Sequence, residues 1–160
     1  MGKEKEKVIK QMKAILITSD HAGFKLKEAL KIFLKSLGYG VEDKGAFEYK
    51  SDDDYPDFIA PVAEAVSKNS ELKGIILGGS GQGEAIVANR FPNVRAAVYY
   101  GGGENIVRLS REHNNSNILS LGARFLDEES AKQAVKTWLE TPFTKGRHQR
   151  RLDKIEKLTS

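Results

Sequence analysis

Residues 74–84 read Gly74-Ile75-Ile76-Leu77-Gly78-Gly79-Ser80-Gly81-Gln82-Gly83-Glu84. The apolar run is short and bounded by glycine, so it reads as a buried strand rather than a helix. The densest glycine run in the chain follows it, and a short helix is expected from Glu84. A buried strand that turns through glycines into a helix is the unit from which parallel sheets are built. The same pattern repeats outward in both directions. Toward the N-terminus, Phe58, Ile59, Val62, Ala63 and Val66 recur at helical spacing, and Val41 marks a weaker strand. Phe24, Leu26, Leu30, Phe33 and Leu34 give a further helix, stopped by Gly38, and Ala14-Ile15-Leu16-Ile17 is the first strand. Toward the C-terminus, Ala96-Ala97-Val98-Tyr99 is a strand, and Gly101 to Gly103 precede a helix that runs through His113. Ile118-Leu119-Ser120-Leu121 is the fifth strand, and Asp127 opens a helix through Ala134, Val135 and Leu139. Pro142 breaks that helix, and a last one is expected over His148 to Leu158. Five strands alternating with helices predict an α/β fold with one five-stranded parallel sheet and helices on both faces.

The chain has 160 residues, 39% hydrophobic and 30% charged, enough to bury a core without staples. Residues 1–12 read as a charged N-terminal extension and 13–160 as a single domain that includes the C-terminal helix. There is no cysteine. That excludes a disulfide scaffold, a thiolate zinc site, an iron–sulfur centre and a cysteine nucleophile. No apolar run approaches the length of a membrane span, and Met1 to Lys10 is charged where a secretory signal would be apolar. A cytoplasmic protein with no membrane partner is expected. The net charge is +4, with +3 in residues 1–13 and +4 in residues 144–160, so the body between them carries −3. An acidic body with basic ends is a poor nucleic-acid surface. The basic tail fits a local anion better.

Ligands of open parallel sheets bind outside the carboxyl ends of the strands. Three polar clusters fall there: Ser19-Asp20-His21, the glycine loop, and Arg124. Each has a plain structural alternative, since an aspartate before a helix is commonly an N-cap and a lone histidine is commonly structural. The loop fails as a dinucleotide fingerprint because Gly79-x-Gly81 needs a third glycine where Glu84 stands. It also fails as a P-loop, because after Gly78-x-x-x-x-Gly83 the lysine position is again Glu84. What survives is a set of unhindered backbone N–H groups at a helix N-terminus, suited to a small oxyanion. A carboxylate beside such a site suits proton abstraction next to a carbonyl, or it is simply a first-turn acid favoured by the helix dipole. Arg147 and Arg151 are four apart and share one helix face, as a phosphate clamp requires. His21, His113 and His148 have no i, i+4 ligand pairing, so no metal is expected. His148 reads as structural or peripheral.

Asp20-His21-Ala22-Gly23, Asp54-Tyr55-Pro56, Gly79-Ser80-Gly81-Gln82-Gly83-Glu84, Arg111-Glu112-His113-Asn114, Gly122-Ala123-Arg124 and Arg147-His148-Gln149-Arg150-Arg151 occur in that order. The ordered set resembles the ribose-5-phosphate isomerase type B family, related to galactose-6-phosphate isomerase subunits, over roughly residues 13–158. The resemblance implies a three-layer Rossmann-like fold, a homodimer or a tetramer, no cofactor, and interconversion of ribose 5-phosphate and ribulose 5-phosphate through an enediolate. It implies Glu84 as the base, His113 as the ring-opening acid, and Ser80 with Gly79, Gly81, Gln82 and Gly83 around the enediolate oxygen. Asn114 would orient the sugar, Asp20 and His21 would touch it, and Arg124, Arg147 and Arg151 would anchor phosphate and sugar. One branch of the family places a cysteine base just after the third strand. That position here is Gly78, so the chain resembles the branch with a glutamate base. Galactose 6-phosphate or allose 6-phosphate are the near alternatives, with loop 45–53 and Tyr99 to Gly103 expected to set sugar length. A non-catalytic sugar-phosphate-binding subunit is the alternative from another class, and it needs neither Glu84 nor His113. The final helix, with Leu152, Ile155 and Leu158 as its apolar stripe, is expected to leave the main domain and pack across a dimer interface with shared active sites.

Overall fold

The central strands of the computed structural model are apolar on both sides because helices cover both faces of the sheet. Residues 2–5 and 14–159 are described. Of the expected extension, residues 2–5 form an exposed helical turn, and the rest lies outside the described residues. The first strand, β1 (Ala14–Ser19), runs through a 3₁₀ turn (His21–Gly23) into α1 (Phe24–Ser36). Then come β2 (Gly40–Asp43), α2 (Tyr55–Lys68), β3 (Lys73–Gly78) and α3 (Gln82–Ala88). The chain continues through β4 (Ala96–Tyr99), α4 (Glu104–Glu112), β5 (Ile118–Gly122), α5 (Glu128–Glu140) and α6 (Arg147–Lys157).

The five strands are all parallel and ordered β2-β1-β3-β5-β4. The chain leaves β1 for one edge and returns to the other side of β1 as β3, so the topological switch lies between the carboxyl ends of β1 and β3. Successive strand residues face opposite layers. Ile15, Ile17, Ile75 and Leu77 pack with Leu30 and Leu34 of α1, Val107 of α4 and Trp138 of α5. Leu16, Ile76 and Ile118 pack with Ile59, Val62 and Val66 of α2 and Ala88 of α3. This is the three-layer arrangement expected from the alternation. No helix among the described residues is long and apolar enough to cross a membrane.

Two boundaries that bear on the site differ from the sequence reading. Helix α3 begins at Gln82, two residues early, because Gly81 takes φ +78 and serves as its N-cap. A Cβ there would also sit 3.1 Å from the Ser120 carbonyl oxygen. Helix α6 begins at Arg147 and docks on its own chain: the Thr144 N–H and hydroxyl both donate to the Glu112 carbonyl, Leu152 is buried, and Glu156 lies 3.7 Å from Arg95. Ile155 and Leu158 of its apolar stripe remain exposed.

Loop 44–54 is fixed at its start by a buried ammonium. Lys27 is fully buried, and its Nζ donates to the Asp43 carboxylate at 2.7 and 2.9 Å and to the Ala46 carbonyl at 2.8 Å. Burial opposes ionisation of Asp43, but hydrogen bonds from Lys27, Lys31 and the Gly45 N–H outweigh it and hold its carboxyl below the usual range. The Thr18 hydroxyl donates to the Gly45 carbonyl at 2.9 Å and completes the anchor.

Candidate active site

Glu84 stands in the first turn of α3, yet its side chain folds back over β3 and is only 4% exposed. Its carboxyl fills the space above Gly78: a Cβ built at residue 78 would lie 1.8 Å from Glu84 Oε1 and 2.0 Å from Cδ. Any side chain at position 78 would therefore evict the carboxyl. The helix dipole alone should favour the carboxylate. Burial wins instead, raising the Glu84 pKa; Asp20 adds to the rise, while the N–H groups of Glu84 and Gly81 and the charge of Arg124 oppose it. The result is a carboxylate with enhanced affinity for a proton, the property a base acting on carbon needs.

Around it, the carboxyl ends of β1, β3 and β5 bring together the expected neighbours. The Ala123 and Arg124 N–H groups donate to the carbonyls of Gly78 and Gly79 at 2.8 and 3.0 Å, lashing the turn after β5 to the glycine loop. That puts the Arg124 guanidinium against Gly79, where a Cβ would meet Nη1 at 3.0 Å. Ser80 accepts the Gln82 N–H at 3.2 Å and so shapes the start of α3, with its hydroxyl hydrogen still available to donate. Gly83 lies under a residue the sequence reading did not assign: Tyr55, whose hydroxyl would be 2.7 Å from a Cβ at 83.

Asp20 is buried, and its Oδ1 accepts the N–H groups of Ala22 at 3.0 Å and Gly23 at 3.3 Å. The capping alternative for Asp20 is thus realised, in a position that also raises the Glu84 pKa. His21 beside it meets Asp53, a second residue that sequence reasoning left unassigned, with Nδ1 2.6 Å from Oδ1. Asp20, His21 and Asp53 offer ligand-type atoms within 4.8 Å of one another. The only sequence signal for Asp53 and Tyr55 is the acidic run Asp52-Asp53-Asp54 closing on Tyr55-Pro56.

The remaining expected residues lie at the other end of the sheet. Helix α4 starts beyond the carboxyl end of β4 and descends to the amino end of β5, so His113 caps it at the amino edge. The length of β5 separates the two edges, ~16 Å at ~3.3 Å per residue. Asn114 lines a hollow with Val94, Ala96, Leu152 and Ile155. The His113 and His148 rings stack at 4.2 Å with a 12° tilt, and His148 is buried. Burial, then His113, Arg147 and Arg151, push the His148 pKa below the ordinary imidazole value. Arg111 is buried and fixes the turn below: its Nη1 donates to the Ser116 carbonyl at 2.6 Å and to Asn115 Oδ1 at 2.9 Å. Arg147 and Arg151 are exposed beside this pair, and neither has an ion-pair partner among the described residues. One chain thus brings Asp20, His21, Gly79 to Gly83, Glu84 and Arg124 together, and it gathers His113, Asn114, Arg147 and Arg151 separately.

A family model described as Ribose/Galactose Isomerase matches residues 15–155. The chain is 40% identical over 140 residues to ribose-5-phosphate isomerase B of Mycolicibacterium paratuberculosis, covering 87% of each. It is 38% identical over 144 residues to ribose-5-phosphate isomerase B of Escherichia coli, covering 90% of this chain and 95% of that one. Among solved structures, ribose-5-phosphate isomerase B of Mycoplasma genitalium with bound ribulose-5-phosphate superposes with a TM-score of 0.87 at 39% identity, covering 91% and 95%. The Clostridium thermocellum enzyme of the same name superposes at 0.85 with 44% identity, covering 91% and 96%. This chain belongs to the ribose/galactose isomerase family.

Proposed function

We propose that this protein interconverts ribose 5-phosphate and ribulose 5-phosphate through an enediolate, with Glu84 as the base. The observation that carries the reading is the Glu84 carboxyl itself, buried over Gly78 at the mouth of the glycine loop and biased toward holding a proton. Glu84 takes the proton from C2 of the open-chain aldose and returns it to C1, while the hydroxyl proton on O2 passes to O1, so that C1 becomes the alcohol and C2 the carbonyl. The electron pair left on carbon spreads onto the carbonyl oxygen. Backbone N–H groups of Gly79 to Gly83 and the Ser80 hydroxyl stabilise that oxygen. Glutamate in this place and glycine at 78 support the glutamate-base branch, since side chains at the two positions would compete for one volume.

The site is completed by a second copy of the chain. In this homodimer, His113 of one protomer opens the furanose ring over Glu84 of the other, and Asn114 orients the sugar. Arg147 and Arg151 bind its phosphate together with Arg124. Support comes from the separation of the two clusters by the sheet and from the uncompensated positive charge of Arg147 and Arg151. The same reading puts the reaction in the cytoplasm, where charged sugar phosphates are retained. The test is kcat/KM over a panel of five- and six-carbon aldose phosphates. Ribose 5-phosphate is expected to lead it. A six-carbon phosphate turned over faster would reassign the substrate, and no turnover of any member would reject the isomerase reading.

A further inference from the structure

His21 is gripped twice by one carboxylate oxygen. Its Nδ1 lies 2.6 Å from Asp53 Oδ1, and its backbone N–H donates to that same oxygen at 3.1 Å. Asp53 comes from the far end of loop 44–54, and its side chain is 8% exposed. Its other oxygen, Oδ2, is buried with no hydrogen-bond partner among the described residues. The Tyr49 ring stands edge-on to the imidazole, with centroids 6.0 Å apart. A carboxylate only accepts, so the hydrogen in the short contact belongs to Nδ1, and Nε2 is the ring nitrogen left over.

The start of the loop is held without this arrangement. Lys27, Asp43 and Thr18 already fix its start, through contacts that do not involve Asp53. Asp53 instead spends a buried carboxylate, with one oxygen unpaired, on the orientation of a single imidazole at the rim that holds Glu84. A carboxylate behind a histidine, selecting its tautomer and aiming the opposite nitrogen, is a general way to prepare an imidazole for a ligand. We infer that Asp53 is a positioning residue for the reaction, holding His21 in its Nδ1–H form so that Nε2 faces a substrate oxygen. The inference rests on the isomerase reading above, in which His21 touches the sugar phosphate.

The tautomer is measurable without substrate. In the full chain labelled with ¹⁵N-histidine, at about pH 9 where an ordinary imidazole is neutral, the His21 ring should show a protonated Nδ1 and a bare Nε2. A His21→Gln spectrum assigns the signals. Asp53→Ala should abolish that preference and lower kcat/KM for ribose 5-phosphate by ~10–100-fold, the usual loss for a partner of this kind. Asp53→Asn, whose amide oxygen can still accept from Nδ1, should recover part of it. Asp53→Ala added to His21→Ala should lower activity no further than His21→Ala alone. A wild-type His21 protonated at Nε2, or losses that add in the double variant, would overturn the inference. If Asp53→Ala does not fold, the wild-type and Asp53→Asn spectra decide. A wild type that shows the Nδ1–H form but isomerises no sugar phosphate would reject the isomerase reading while leaving the tautomer assignment supported.

Discussion

At the carboxyl ends of β1, β3 and β5, reactive groups are placed by main chain: Glu84 by a helix start and a bare Gly78, Arg124 by two N–H bonds to the glycine loop, Asp20 by the turn it caps. At the amino ends, His113, His148, Arg147 and Arg151 are placed by side chains stacked on the end of α4, and the arginines project into solvent. The first region is tied together by main-chain hydrogen bonds. The second is a cationic surface whose arginines, Arg147 and Arg151, have no ion-pair partner among the described residues. On the proposed reading the contrast is between a base, which must be desolvated and fixed before substrate arrives, and a phosphate clamp, which works only when the phosphate brings the missing charge.

The largest expected effect tests the main-chain region. Glu84→Gln is expected to lower kcat by ~10²–10⁴-fold with the fold intact, as removal of a positioned base does. Solvent exchange of the substrate C2 proton reads the step directly, and near-normal exchange would remove Glu84 from the role of base. A similar loss, at least ~10²-fold, is expected from Gly78→Ala. Its methyl must push the Glu84 carboxyl aside by more than an ångström, and a 1 Å misplacement is enough for that loss. Unchanged kcat in Gly78→Ala would show that the carboxyl position is not critical.

The second region is expected to respond in KM. Arg147→Ala and Arg151→Ala should each raise KM for ribose 5-phosphate about tenfold, as loss of one hydrogen bond to a charged group does. Mixed with Glu84→Gln chains, a chain lacking both arginines should regain activity through sites that combine one intact half from each. No recovery on mixing, with both variants dimeric by sedimentation, would mean that the two regions serve one protomer.

The smallest effects separate the regions by pH. Glu84 has a raised pKa in the folded chain, so the folded state keeps a proton that the unfolded chain has already lost. Its contribution to stability therefore falls as pH rises through that window. Glu84→Gln is expected to raise Tm slightly at neutral pH, while wild-type kcat/KM declines in acid as the base is protonated. His148 shifts the other way. The unfolded chain binds a proton there first, so stability is lost as pH falls below the ordinary imidazole value, and His148→Gln should weaken that loss. Tm measured against pH for the two variants checks both signs.

The strands were legible because short apolar runs between glycines leave few alternatives, and burial on both faces removes the polar alternation of an exposed sheet. The start of α3 lies two residues before the position the sequence suggests, because a left-handed Gly81 as N-cap leaves no side-chain signature. Tyr55 and Asp53 went unassigned for a related reason. Nothing in Asp52-Asp53-Asp54-Tyr55-Pro56 says that one carboxylate will meet an imidazole 32 residues upstream or that the phenol will cover Gly83. His148, read as structural or peripheral, is the buried ring against which His113 stacks.

By itself the sequence determined the alternation of strands and helices, the rim at which polar clusters gather, and the failure of both nucleotide motifs at Glu84. These follow from spacing and residue type, which are local. Tertiary structure alone decided that Glu84 is buried over Gly78, that Asp53 holds His21, and that His113 and the two arginines stand at the opposite end of the sheet. Those facts depend on strand order and helix direction. The direction in which α4 runs between two parallel strands sends a residue to one edge or the other however near its neighbours are in the chain.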